Sequence, residues 1–269
     1  MSFWNGKVVV VTGGSKGLGL SIGEAFAAQS ATVILLARTE VDLENAIQNS
    51  KFGSNLHAQV CDVLSDQSVQ QAVDRIVADW NQIDIWVNNV GISTRVRLSD
   101  CSVDQYRTFL EVNCLAAIRC TQACLDHLVK SSGQVVNIGS LAAKTGWPNV
   151  APYVVSKHAL AGYSHQFRLE GPANVNCLFV GPGPIRRTDS GTRYAEQVAD
   201  SGLSDKATQP GAGVKLKGIP PEKLANLIVS CCRKRRGVLI VPFSAKMLFA
   251  VAQLSSRLGD FLLGLAAKK

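Results

Sequence analysis

Apolar, β-branched runs recur along the chain and alternate with longer stretches whose apolar residues return at helical spacing. The runs are "KVVVVT" (7–12), "TVILLA" (32–37), "LHAQVC" (56–61), "DIWVNN" (84–89), "QVVNIG" (134–139), "NVNCLFV" (174–180) and "GVLIVP" (237–242). Each reads as a strand. Their near-continuous apolarity suits strands buried on both faces, and the helix-length segments between them are what parallel crossovers require. The pattern predicts an α/β fold, one doubly wound parallel sheet of about seven strands with helices on both sides.

Two segments break the alternation. Residues 181–219 are rich in Gly, Pro, Ser and Thr and follow the sixth strand. They are a candidate substrate lid, since ligands bind beyond the carboxyl ends of such strands. After the last strand, residues 245–266 carry an amphipathic pattern through Met247, Leu248, Val251, Leu254, Leu258, Phe261, Leu262 and Leu265. The expected organisation is a catalytic domain over 1–243 and a helical extension over 244–269, with no apolar stretch of membrane-spanning length.

At 269 residues, with 46% apolar and 18% charged side chains, the chain has ample material for one large core. The start carries too short an apolar segment for a signal peptide. Eight cysteines without a CxxC pair read as reduced thiols, and four scattered histidines predict no metal site. A cytoplasmic protein is expected. The net charge of +8 is uneven: residues 206–269 alone carry +10, including Arg233, Lys234, Arg235 and Arg236. Either an anionic partner or a solvated basic face accounts for that.

"TGGSKGLG" (12–19) follows the first strand and opens a helical pattern. Its glycines allow a tight turn and close approach of backbone to a diphosphate, which the helix N-terminus attracts. Gly13, Ser15, Lys16, Gly17, Leu18 and Gly19 are therefore candidate cofactor contacts. At the end of the second strand an acid would bind the ribose of NAD, whereas an arginine accommodates the 2′-phosphate of NADP. The residue is Arg38, and Lys16 supplies a second cation, so NADP(H) is expected.

"YVVSK" (153–157) places a phenol and an ammonium four residues apart, on one face if the segment is helical. Of the four tyrosines only Tyr153 has a lysine at that spacing. With these motifs in order, the chain resembles the short-chain dehydrogenase/reductase family over nearly its whole length. The resemblance implies a Rossmann-like fold and a catalytic tetrad of Asn113, Ser140, Tyr153 and Lys157. It also implies adenine contacts at Asp62 and Val63 in "CDV", cofactor contacts at Asn89 and Gly91 in "NNVG", and a nicotinamide loop at Pro182, Gly183 and Ile185 in "GPGPI". Tyr153 would give the proton that an alkoxide needs, Lys157 would ease its release and hold the ribose, Ser140 would polarise the carbonyl, and Asn113 would hold a water. Val90 replaces the family's alanine, and Arg187 stands where a threonine is common, with Thr188 one place later.

The C-terminal continuation resembles the membrane-associated steroid and sphingoid-base reductases of the family. It implies a lipophilic carbonyl or alcohol substrate and contact of the basic amphipathic segment with an anionic bilayer surface. Packing of that helix on the sheet or in a homo-oligomer is the competing expectation. Reduction of a 3-oxoacyl thioester and a non-catalytic NADP-binding sensor or scaffold are the alternative functions. No nucleic-acid partner is expected.

Overall fold

Seven strands pair side by side, all parallel: Val8–Thr12 (β1), Thr32–Ala37 (β2), Leu56–Val60 (β3), Ile85–Asn88 (β4), Gln134–Ile138 (β5), Asn176–Pro182 (β6) and Val238–Val241 (β7). Their order is β3-β2-β1-β4-β5-β6-β7. The computed structural model describes residues 2–186, 194–199, 202–203, 205–208, 218–255 and 257. Arg187, Thr188 and much of the expected lid therefore lie outside the described residues.

The apolar strands divide their side chains strictly by parity. Val9, Val11, Val33 and Leu35 point into one core with Phe26 of Gly17–Ala27 (α1), Leu43 of Glu40–Gln48 (α2) and Ile228 of Pro221–Arg233 (α8). Val8, Val10, Ile34, Leu36 and Trp86 point into the other, with Ile76 of Asp66–Trp80 (α3) and Leu128 of Ala116–Ser131 (α5). Both faces of the central strands are covered, whereas the edge strand β3 is partly exposed and carries His57 and Gln59 in alternation. The remaining helices are Val103–Leu110 (α4), Ala151–Glu170 (α6), Ala195–Ala199 (α7) and Phe243–Leu254 (α9).

β1 pairs with both β2 and β4, so the chain winds outward to β3 and then crosses back. Loops leaving β1 and β4 consequently diverge to opposite faces and open a crevice between them.

The exposed basic run 233–236 and the C-terminal helix lie on either side of β7 in the chain. Residues 233–236 precede β7 and α9 follows it, so a strand of four residues, about 13 Å at 3.3 Å per residue, separates them. Arg235 is also committed to the fold. At φ +47 it closes the turn into β7, donating from Nη1 to Ser132 O at 2.8 Å and from Nη2 to Asn174 O at 2.7 Å. On α9, Phe249 is buried while Phe243 and Met247 are exposed. The side chains of Leu248, Val251 and Leu254, and residues Leu258, Phe261, Leu262 and Leu265, lie outside the described residues. Among the described residues no helix is long and apolar enough to cross a membrane.

Candidate active site

Where β1 ends, Gly13 adopts φ +62 and the chain turns into α1. A Cβ on Gly19 would lie 2.1 Å from the Gly13 carbonyl oxygen, so the turn closes only around glycine. Lys16 stands at the helix N-cap in an extended conformation with no side-chain cap, and the first turn holds no acid. Its amides are thus left to an external acceptor, and the partial positive charge there meets no competing carboxylate. Asn89, expected as a cofactor contact, braces this turn. Its Nδ2 donates to Thr12 O at 3.0 Å and Gly13 O at 3.3 Å, while its backbone N–H donates to Thr12 Oγ1 at 2.9 Å.

Tyr153 and Lys157 lie one turn apart in α6. Lys157 is buried, and its Nζ sits 5.9 Å from the centroid of the Tyr153 ring while donating to Ile138 O at 2.9 Å. Burial pulls its pKa down to about 8, with the neighbouring Cys114 opposing the shift. Gly91 leaves room for this amine: a Cβ there would come within 3.3 Å of Nζ and 2.9 Å of Asn113 Oδ1. Ser140 caps the short 3-10 turn Leu141–Ala143, its Oγ accepting from Ala142 N at 3.1 Å. That bond uses a lone pair and leaves the hydroxyl hydrogen for a substrate oxygen.

Asn113 occupies a π-helical turn, Glu111–Leu115, between α4 and α5. Its Nδ2 donates to Ile92 O at 3.0 Å and to Ser156 Oγ at 2.9 Å, and Oδ1 accepts from Ile92 N at 2.7 Å. Both amide hydrogens are spent. A water held here would have to use Oδ1 or the backbone, so the side chain itself acts as a brace on the loop after β4.

Every other candidate residue lines one cleft of about 1440 Å³; Asn113 lies behind it. Gly13, Ser15, Lys16, Gly17, Leu18, Gly19, Arg38, Asp62 and Val63 line one part of it, and Asn89, Gly91, Ser140, Tyr153, Lys157, Pro182, Gly183 and Ile185 the rest. Asp62 Oδ1 accepts from Leu64 N at 3.0 Å, leaving Oδ2 for a donor such as an adenine amino group. Gly183 N donates to Val241 O at 2.7 Å, and Ile185 bridges to Ile219, which anchors the nicotinamide-side loop on β7 and on the approach to α8. A long cleft with an uncapped glycine turn and an open carboxylate oxygen fits a dinucleotide. Among the described residues no cluster of His, Cys, Asp and Glu could hold a metal.

Three further residues hold the site together. Thr12 Oγ1 donates to Val87 O at 3.1 Å and accepts from Asn89 N, tying the ends of β1 and β4. Ser156, inside "YVVSK", donates to Tyr153 O at 2.8 Å and accepts from Asn113. Arg95 is buried against the cleft with its guanidinium 4.0 Å from the Tyr194 ring. Thr12 and Ser156 lie inside motifs, at the head of the glycine turn and within "YVVSK", whereas Arg95 carries no local signal.

The model of the short-chain dehydrogenase family matches residues 7–199. A "Dehydrogenase/reductase SDR family protein 7-like" of Drosophila melanogaster is 31% identical over 273 residues, covering 98% of this chain and 81% of that protein. An L-fucose dehydrogenase of Bos taurus is 32% identical over 184 residues, 67% of this chain and 66% of that one. A short-chain dehydrogenase structure from Streptomyces avermitilis superposes with a TM-score of 0.81 at 22% identity, covering 100% of this chain and 99% of the other, which shows the same fold.

The buried amine makes stability depend on pH. Lys157 loses its proton near 8 when folded, against 10.5 ordinarily, so between those values the unfolded chain binds more protons and stability rises with pH. Below pH 8 the burial cost is constant. The whole effect amounts to roughly 3 kcal/mol, from about 1.4 kcal/mol per pH unit of displacement. Buried thiols such as Cys120, pushed up to about 12 by desolvation, act with the opposite sign. Thermal unfolding of the cofactor-free protein and of Lys157→Met separates the two: the difference in stability between them should narrow from pH 8 to 10.5, and a constant difference would show that Lys157 is not desolvated.

Proposed function

Because the chain belongs to the short-chain dehydrogenase family, whose fold binds nicotinamide cofactors, we propose that it is an NADP(H)-dependent oxidoreductase acting on the carbonyl or alcohol carbon of a lipophilic substrate. The carrying observation is charge at one end of the cleft. Arg38 and Lys16 both line it, both are exposed, and neither makes a salt bridge among the described residues. Asp42 and Asp62 also line this part of the cleft, so the reading rests on the direct charge-assisted bonds that Arg38 and Lys16 can give a 2′-phosphate and not on a net positive charge. Where the substrate would sit, Leu141, Trp147, Val150 and Phe249 supply apolar walls.

A bound nicotinamide supplies or accepts the hydride. The chain's own residues handle the oxygen. Ser140 donates its free hydroxyl hydrogen to the substrate oxygen and polarises the carbonyl. Tyr153 gives its phenolic proton as negative charge grows on that oxygen, and the Lys157 ammonium stabilises the phenolate left behind. Ser156 and Asn113 act behind them, fixing the first turn of α6 against the loop after β4. In the oxidative direction the same groups run in reverse, with Tyr153 as base.

We include two partners in this reading. Leu115, Val155 and Leu169, left exposed along α5's lead-in and α6, support pairing with a second copy of the chain. Phe243 and Met247 beside Lys246 on α9, together with the exposed basic run 233–236, support contact with an anionic lipid surface.

Three measurements test the proposal. Arg38→Asp should weaken NADPH binding about tenfold or more and relatively favour NADH, read by nucleotide fluorescence. Equal affinity of the unaltered protein for both nucleotides would overturn the cofactor assignment. Across ketones, steroids, sphingoid bases and acyl thioesters, turnover should favour a lipophilic ketone, and Tyr153→Phe should lower it by about two or more powers of ten with little change in NADPH affinity. Preference for a thioester would make this a 3-oxoacyl reductase, and tight NADPH binding without turnover a sensor. Finally, co-sedimentation with anionic vesicles at low salt should be lost when Phe243 and Met247 are both changed to Ser, whereas an unaltered protein that stays in the supernatant does not attach to membranes.

A further inference from the structure

The loop after β4 is fastened at both ends to the catalytic frame. Asn113 holds both backbone groups of Ile92, and Val96 N donates to Asn149 O at 2.9 Å, next to the start of α6. Between these points Thr94 and Arg95 reach across to residues 194–199 and 205–208. Gln197 Oε1 accepts from Arg95 N at 3.0 Å, and Arg95 Nε donates to Ala207 O at 2.5 Å. Nη1 turns back to Thr94 O at 2.7 Å, which fixes the guanidinium plane. Arg97 adds a bond from Nη2 to Gly202 O at 2.9 Å. The segment so held has its own small core of Tyr194, Val198 and Ala207, edged by Leu203.

Arginine is seldom buried to 5% exposure, because its charge is costly to desolvate. Here the planar face is used as well as the fork: the guanidinium carbon stands 4.0 Å from the Tyr194 ring centroid. Arg95, Tyr194 and Trp147 line the same cleft as Tyr153. One rigid chain of contacts therefore runs from Asn113 through Ile92 and Arg95 to an aromatic wall.

We propose that Arg95 is the positioning residue that sets substrate specificity: by stacking on Tyr194 and gripping Ala207 O, it holds the tyrosine ring at a fixed place in the substrate half of the cleft. A fixed flat wall in the cleft that Trp147 and Val150 also line favours a substrate whose carbonyl belongs to a flat ring system over one on a flexible chain, since the ring loses less freedom on binding. This rests on the carbonyl-reductase reading above.

The test uses 2-tetralone as the ring ketone and 2-octanone as the open-chain one, with NADPH. Arg95→Lys keeps the charge and loses both the fork and the planar face. KM for 2-tetralone should rise roughly three- to tenfold, matching the loss of one stacked contact, with kcat within about twofold and NADPH affinity unchanged. KM for 2-octanone should move by less than twofold. Tyr194→Ala should reproduce the change, Tyr194→Phe should not, and combining Arg95→Lys with Tyr194→Ala should add little to either. An unchanged KM for 2-tetralone in Arg95→Lys, equal effects on both ketones, or a fall in kcat at constant KM would overturn the proposal. If Arg95→Lys does not fold, the Ala and Phe variants of Tyr194 decide it alone: equal KM values for 2-tetralone refute the fixed wall. If no carbonyl is turned over, the carbonyl-reductase reading fails instead, and proteolysis within 194–208 still reads the grip, expected to quicken in Arg95→Lys and refuting it if unchanged.

Discussion

The hydrogen bonds exchanged between Thr12 and Asn89 hold together the two strand ends on which the cleft is built. β1 and β4 are neighbours only because the chain changes direction beside β1, and their loops leave toward opposite faces. Thr12 Oγ1 takes the Asn89 amide and gives to Val87 O, and Asn89 Nδ2 returns to Thr12 O and Gly13 O. Closing this small circuit satisfies backbone groups that the sheet leaves unpaired at its end, and it sets the glycine turn against the loop that carries Gly91. An orphaned buried amide or carbonyl would cost about 1–3 kcal/mol, so the circuit has little freedom to rearrange.

A second circuit carries that order into the helices. Asn88 and Asn137 face each other across β4 and β5, and Asn88 Nδ2 reaches Asn137 Oδ1 at 2.9 Å and Thr121 Oγ1 at 3.1 Å. Asn137 Nδ2 in turn donates to Ser164 Oγ on α6 at 2.9 Å, and Trp86 Nε1 donates to Asn88 Oδ1. Both strands thus grip α5 and α6 from within the core. A buried polar network whose members are all paired is rigid, and it fixes helices that apolar packing alone would let slide. α6 brings Tyr153 and Lys157, and the π-helical turn leading into α5 brings Asn113, so the positions of these groups descend from the sheet through hydrogen bonds.

Charge is distributed with the same economy. Among the described residues the cations at the glycine turn and β2 stay out of ion pairs and line the cleft, whereas Arg235 is spent on three loop carbonyls at the opposite end of the sheet. Arg119 on α5 joins Asp66, Glu111 and the Val63 carbonyl, linking the candidate adenine loop to the π-helical turn. Arg95 does the equivalent work on the substrate side. Three arginines with similar composition signatures have three different tasks, decided by which carbonyls, carboxylates and rings the fold places within reach of each guanidinium.

Local rules account for what the amino-acid sequence determined alone. Runs such as "VVVVT" read as doubly covered strands because their side chains are apolar on both faces, and all seven strands appear within two residues of their expected limits. The glycine turn followed from φ freedom and close approach, and the pairing of Tyr153 with Lys157 from the pitch of a helix. What only the tertiary structure decided involves partners far apart in the chain. Asn113 became a brace because Ile92 and Ser156 converge on it from elements 21 and 43 residues away. Arg235 bonds the carbonyls of Ser132 and Asn174 because the fold brought them within its reach, and Arg95 met Tyr194 across 99 positions. A side chain's type states what bonds it can make, and periodicity states which face it occupies. Which distant group satisfies it depends on how the helices pack over the sheet, and that information is spread over every contact in the core.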